Sequence, residues 1–212
     1  MTFPWFARFT VAASASSETA SSRAAEPIGP GLVVLVVGPS GAGKDAVLGE
    51  AARRLGGDQR FLFPKRVVTR ETNAAEDHDT LTPAAFATEL QRGAFALHWQ
   101  AHGLSYGIRA EIDTAARAGR SVAFNASRRV VPVVRARYAN AAVVLIDAPF
   151  QLRARRLATR DRERARDVDA RLQRVVAEFD AGDVDLVIEN SGALCQAADT
   201  LADWLRARHG RT

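Results

Sequence analysis

Residues 32–37 are an unbroken Val/Leu run, and the chain passes from it straight into Gly38-Pro-Ser-Gly-Ala-Gly-Lys44 and then into helical sequence. An apolar run with no polar alternate is a strand buried on both faces, as in a parallel sheet covered by helices on each side. The G-x-x-x-x-G-K spacing constrains the turn that follows. Glycines let backbone N–H groups turn inward around a triphosphate, the helix N-terminus adds its positive end, and Lys44 reaches the β- and γ-phosphates as a point charge. Gly38, Pro39, Ser40, Gly41, Ala42, Gly43 and Lys44 are therefore the expected phosphate cradle, with ATP as the expected cofactor. The residue after the lysine is usually a Ser or Thr whose hydroxyl holds Mg²⁺; here it is Asp45. A carboxylate is also a hard oxygen ligand, so Asp45 is the expected metal residue, binding Mg²⁺ directly or through a water.

The remaining sequence alternates. Helices are expected at residues 44–55, 83–91 (behind the cap Thr82), 110–118, 150–159, 167–180 and 194–208. Strands are expected at residues 66–69, 95–99, 121–126, 141–147 and 184–189. This alternation predicts an α/β chain whose parallel sheet is covered on both faces, and with the G-x-x-x-x-G-K loop it resembles the P-loop NTPase three-layer fold. Residues 1–30 are Ala/Ser-rich, without period, and end in Pro27 and Pro30; they are expected to be a flexible N-terminal extension to a single domain at 31–212.

Composition narrows the partners. The formal net charge is +5 and is carried almost wholly by arginine, the only lysines being Lys44 and Lys65. No aromatic-interleaved basic stripe accompanies that charge, so no nucleic-acid partner is expected, and a polyanionic small molecule suits the same field. No apolar run reaches the roughly 18–20 residues of a membrane span. The single cysteine, Cys195, cannot close an internal disulfide, which points to a cytoplasmic protein. Nothing in the composition fixes an oligomeric state.

Further stretches follow the cradle in a telling order: Val67-Val-Thr-Arg70, Glu76-Asp-His78, Phe95-Ala-Leu-His-Trp99, Gly103-Leu-Ser-Tyr-Gly107, Val122-Ala-Phe-Asn-Ala-Ser-Arg128 and Val187-Ile-Glu-Asn190. With them, residues 31–208 resemble the guanylate kinase superfamily, whose fold adds acceptor-binding and lid segments to the P-loop sheet. Gly-Pro-Ser-Gly-Ala-Gly-Lys-Asp is similar to the wording in the ribose 1,5-bisphosphate phosphokinases, which form 5-phosphoribosyl 1-diphosphate in bacterial phosphonate degradation.

The resemblance also directs attention to the acceptor. Guanine presents N1–H and N2–H₂ donors, so a guanine pocket needs carboxylate acceptors. The family's guanine-reading Glu, Asp and Ser fall here at His98, Ser127 and Ile108. Each buried donor left unpaired costs about 1–3 kcal/mol, so GMP is expected to be a poor acceptor. Arg70 and Tyr106 match residues that grip the acceptor phosphate, while the second arginine of that grip falls at Asn73. A sugar bisphosphate read by Glu76, His78, His98, Asn125 and Ser127 fits these replacements. The Arg-rich run from Arg160 to Arg166, followed by Arg171, stands where the family carries a mobile lid; Arg160 and Arg171 best match its catalytic arginines, with Arg156 and Arg162 as further candidates. Asn190 resembles a residue beside the adenine.

A phosphate acceptor is already anionic at neutral pH, so the implied reaction requires no general base. Positioning and charge neutralisation carry it. A nucleoside-monophosphate kinase of altered base preference and a non-catalytic guanylate kinase-like binding module remain open at this point. The retained Lys44 and lid arginines speak against the second.

Overall fold

The computed structural model describes residues 26–70, 78–101, 103–160 and 183–211. The Val/Leu run lies inside β1 (Ile28–Val37), the middle strand of a five-stranded sheet. Its neighbours are β7 (Ser121–Asn125) on one side and β8 (Tyr138–Asp147) on the other, with β2 (Phe61–Leu62) and β9 (Leu186–Glu189) at the edges. Every pairing in this sheet is parallel.

Alternation along β1 builds the two outer layers, because successive side chains of a strand point to opposite faces. Leu32, Val34 and Val36 pack against Val47 and Ala51 of α1 (Lys44–Arg54) and against Leu201 and Leu205 of α6 (Leu194–Arg208). Val33, Leu35 and Val37 pack against Ile112 and Ala116 of α3 (Glu111–Arg117) and Val134 of α4 (Val131–Arg137). Fully burying a Val or Leu contributes about 1.5–3 kcal/mol, so this strand anchors the three expected layers.

The structure corrects the expectation of one sheet. Residues 66–69 and 95–99, expected in the parallel sheet, belong to a second sheet ordered β4-β3-β6-β5. It comprises β3 (Arg66–Val68), β4 (His78–Thr80), β5 (Phe95–Ala101) and β6 (Leu104–Arg109). β5 and β6 pair antiparallel across a turn in which Gly103 takes φ 74°. So short a connection permits only antiparallel pairing, since a parallel return needs a crossover of a dozen residues or more. Helix α2 (Pro83–Gln91) closes one face through Phe86, which stacks on Phe95 beside Val67; Thr82 caps it as expected, accepting from the Ala85 N–H at 3.2 Å.

The start of the first strand also moves. β1 begins at Ile28, ahead of residue 32, and Ile28 pairs with Tyr138, so the last three residues of the expected extension lie in the sheet. The rest of that extension up to residue 25, and the helix expected at 167–180, lie outside the described residues.

At the end of the sheet away from the loop after β1, a polar cluster joins three elements. Tyr138 Oη donates to Asp113 Oδ1 at 2.6 Å, and Arg137 pairs with the same carboxylate through Nε and Nη2. Burial first, then the Asp113 hydrogen bond, holds the Tyr138 phenol well above its usual range. Among the described residues no helix is long and apolar enough to cross a membrane.

Candidate active site

β1 delivers the chain into the glycine loop at the C-terminal edge of the parallel sheet, where ligands of open α/β sheets bind. Gly38 adopts φ 148°, and a Cβ there would run into the Ile146 carbonyl of β8. Gly43, the N-cap of α1, has φ 88°, and a Cβ would stand 2.5 Å from Asn190 Nδ2. Both positions thus need glycine for conformation and for space. Among the described residues no side chain caps α1, which leaves its first-turn N–H groups for an anion. Lys44 folds over the loop, its Nζ donating to the Gly38 carbonyl at 2.9 Å and the Pro39 carbonyl at 3.0 Å.

A brace supports the loop from behind. Asn190, at the end of β9 and only 3% exposed, donates from Nδ2 to the Ala42 carbonyl at 2.9 Å. Arg156, from α5 (Phe150–Arg160), donates to the Ala42 carbonyl at 3.3 Å and to the Asn190 carbonyl at 3.0 Å. Arg156 therefore holds the cradle, a role its reading as a further lid candidate did not include. The Asn190 Oδ1 atom is buried and has no hydrogen-bond partner among the described residues.

Asp45 stands in a contact that spacing could not reveal. Its Oδ1 accepts from Asn125 Nδ2 at 2.6 Å and from Arg66 Nη2 at 3.0 Å. Asn125 ends β7, beside the end of β1, so the parallel register Val36↔Asn125 carries it to the cradle. Arg66 opens β3 in the second sheet and had no marked role in the sequence. No local signal links the first turn of a helix to a strand residue 21 positions later. The Asp45 Oδ2 atom makes no hydrogen bond or ion pair among the described residues.

The register of the second sheet sorts the acceptor candidates by face. Arg66 lies opposite Ile108 and beside His78, and Val68 lies opposite Tyr106, which pairs with Trp99. Leu97 and Ile108 of this face belong to the core beneath the parallel sheet. Arg66, His78 and Tyr106 therefore share the face turned toward the cradle, and the Trp99 and Tyr106 rings stack with centroids 5.4 Å apart. His78 is buried, and its Nε2 sits 3.2 Å from the Arg70 carbonyl, which also accepts from Thr80 Oγ1 at 2.9 Å. His78 thus braces the chain at Arg70.

Other candidates are placed differently. His98 pairs with Gly107, so alternation puts it on the opposite face from Trp99 and Tyr106, where it is exposed. The structure does not bring it to the other candidates. Ser127 caps the 3₁₀ turn Arg128–Val130, its Oγ accepting from the Arg129 N–H at 3.4 Å, two residues beyond Asn125. Ile108 is fully buried in the core. Arg160 ends α5, while Glu76, Asn73, Arg162 and Arg171 lie outside the described residues.

Known proteins resemble this chain over most of its length. The family model described as guanylate kinase fits residues 31–208. A protein of Bradyrhizobium diazoefficiens named ribose 1,5-bisphosphate phosphokinase PhnN is 46% identical over 175 residues, covering 82% of this chain and 88% of the relative. Proteins of the same name from Rhodopseudomonas palustris and Acidiphilium cryptum are 45% and 50% identical, covering 87% and 76% of this chain and 92% and 84% of theirs. Among solved structures, a guanylate kinase from Anaplasma phagocytophilum aligns with a TM-score of 0.60 at 17% identity, covering 86% of this chain and 88% of that one. That last likeness is one of fold.

Proposed function

The chain belongs to the guanylate kinase family, and from that premise we propose that it transfers the γ-phosphoryl group of ATP to the 1-phosphate of ribose 1,5-bisphosphate. The product is 5-phosphoribosyl 1-diphosphate, and the setting is phosphonate degradation in the cytoplasm, where Cys195 stays reduced. The observation that carries the choice of acceptor is the chemistry at His98, Ile108 and Ser127. None is a carboxylate, Ile108 is fully buried in the core, and Ser127 is occupied as a turn cap. The name shared by the relatives supports the same choice.

The cradle fits ATP. It offers uncapped helix N–H groups, glycines at both ends and Lys44 folded over the loop, ready to exchange carbonyls for phosphate oxygens. The buried Asn190 Oδ1 is an acceptor of the kind that the exocyclic amine of adenine needs. The donor set also fits Mg²⁺, which takes one or two carboxylates and otherwise substrate phosphates and water. Asp45, with Oδ2 open, would hold it. When bound, Mg²⁺ neutralises charge on the β- and γ-phosphates. Lys44 orients those phosphates, Arg70 and Tyr106 hold the acceptor phosphate, and the lid arginines Arg160 and Arg171 stabilise the transferring group. No residue need take a proton, because the attacking phosphate oxygen is already ionised.

The test is ADP release with ribose 1,5-bisphosphate and with GMP, the sugar product identified by mass. A kcat/KM at least about a hundredfold higher for the sugar bisphosphate is expected, the ratio of two or more lost polar contacts. Efficient GMP turnover with none of the sugar bisphosphate would leave a divergent guanylate kinase.

A further inference from the structure

Arg66 occupies a position that neither the sequence motifs nor the family resemblance marks. Its guanidinium crosses from the second sheet to the residue following the P-loop lysine, pairing with Asp45 Oδ1 at 3.0 Å. Its side chain is 14% exposed, yet Nη2 to Asp45 is its one hydrogen bond among the described residues. Most of its five donors are therefore uncommitted, although the group is largely withdrawn from solvent. Asn125 Nδ2, donating to the same Asp45 oxygen at 2.6 Å, fixes the carboxylate from the other side. The cross-strand partners Ile108 and His78 place Arg66 on the face it shares with Tyr106, turned toward the cradle.

The proposed acceptor carries two phosphates, and Arg70 and Tyr106 are assigned to one of them, which leaves the second still to be matched by a cation. We propose that Arg66 supplies the missing cation: it binds a phosphate of the acceptor through its free donors, while Asp45, itself fixed by Asn125, holds the guanidinium in place. A planar fork anchored at one edge by a carboxylate presents its other edge to an anion, which a lysine cannot do. Asp45 then has two tasks on two oxygens, orienting Arg66 through Oδ1 and facing the metal through Oδ2. Arg66 is a specificity-determining residue in this scheme, and the inference rests on the sugar bisphosphate reading.

The experiment measures ribose 1,5-bisphosphate binding by calorimetry without ATP, and KM and kcat for both substrates, in the full chain and in Arg66→Gln, Arg66→Lys and Asp45→Asn. Arg66→Gln is expected to weaken sugar bisphosphate binding and raise its KM by about 10- to 100-fold, the loss of one charge-assisted contact, while the KM for ATP stays within about twofold. Arg66→Lys should restore only part of the affinity. Asp45→Asn should raise the acceptor KM less than Arg66→Gln does. An unchanged acceptor KM in Arg66→Gln overturns the proposal while leaving the functional reading intact, and so does an equal rise in both KM values, which would mark Arg66 as a structural support of the P-loop. If the unmodified chain neither binds nor phosphorylates the sugar bisphosphate, the functional reading fails and takes this role of Arg66 with it. A melting curve on each variant separates loss of fold from loss of affinity.

Discussion

The Asn190 carboxamide donates to the Ala42 carbonyl at 2.9 Å, tying the end of β9 to the proposed phosphate loop 148 residues earlier in the chain. The same carbonyl receives Arg156 Nη1 at 3.3 Å, so the loop is held from the last strand of the parallel sheet and from α5 together. A phosphate cradle works only if its N–H groups already face inward before the ligand arrives, and this brace provides that preorganisation.

Asn190→Ala is therefore expected to cost about 1 kcal/mol of stability, the low end for a buried hydrogen bond because Arg156 still serves the carbonyl. The KM for ATP should rise by about tenfold. Asn190→Asp should be worse than Ala, since it can set a carboxylate oxygen against the Ala42 carbonyl. Urea denaturation and ATP kinetics check this, and variants matching the parent in both would show that the brace carries no weight.

Lys44→Ala is expected to lower kcat by at least about 10²- to 10³-fold while the urea midpoint stays close to the parent value. Its Nζ donates to the Gly38 and Pro39 carbonyls at 2.9 and 3.0 Å, and it does not belong to the apolar core clusters. Near-normal turnover would refute its assignment to the phosphates.

Alkaline pH should act through Tyr138, at the opposite end of the sheet. Its folded pKa lies above the unfolded value of about 10 because burial and the Asp113 carboxylate both disfavour the phenolate. The sign follows from linkage: the contribution is complete below about pH 10 and is lost as pH rises above it, where the unfolded chain releases the proton first. Tyr138→Phe should cost about 1 kcal/mol at neutral pH through the lost hydrogen bond to Asp113. The gap between the parent and this variant should then shrink between pH 10 and 11, as read from urea midpoints. A constant gap would show that the phenol does not titrate differently on folding.

Much of the architecture was legible from one-dimensional signals. Helix α2 behind its Thr82 cap and α6 agree with their expected bounds, and α1 ends one residue early. The parallel sheet was legible in the Val/Leu runs of β1 and β8, where burial on both faces leaves no polar alternate. The second sheet was not. Its strands are short and half-exposed, and a run such as residues 95–99 has the same appearance in either sheet until the turn at Gly103 forces β5 and β6 into a hairpin. β6 carries most of the Gly103–Gly107 stretch but no strand signal, because glycine and serine weaken its alternation.

The candidate site divides along the same line. The sequence by itself determined the glycine loop of the proposed cradle, since G-x-x-x-x-G-K must be contiguous for backbone N–H groups to surround a phosphate. Only the tertiary structure decided the partners: Asp45 with Arg66 and Asn125, Asn190 and Arg156 beneath Ala42, and His98 turned away from Tyr106. Contiguous chemistry is written in neighbouring letters. These pairings depend instead on how two sheets share a core and on strand register, where a shift of one residue turns every side chain to the other face.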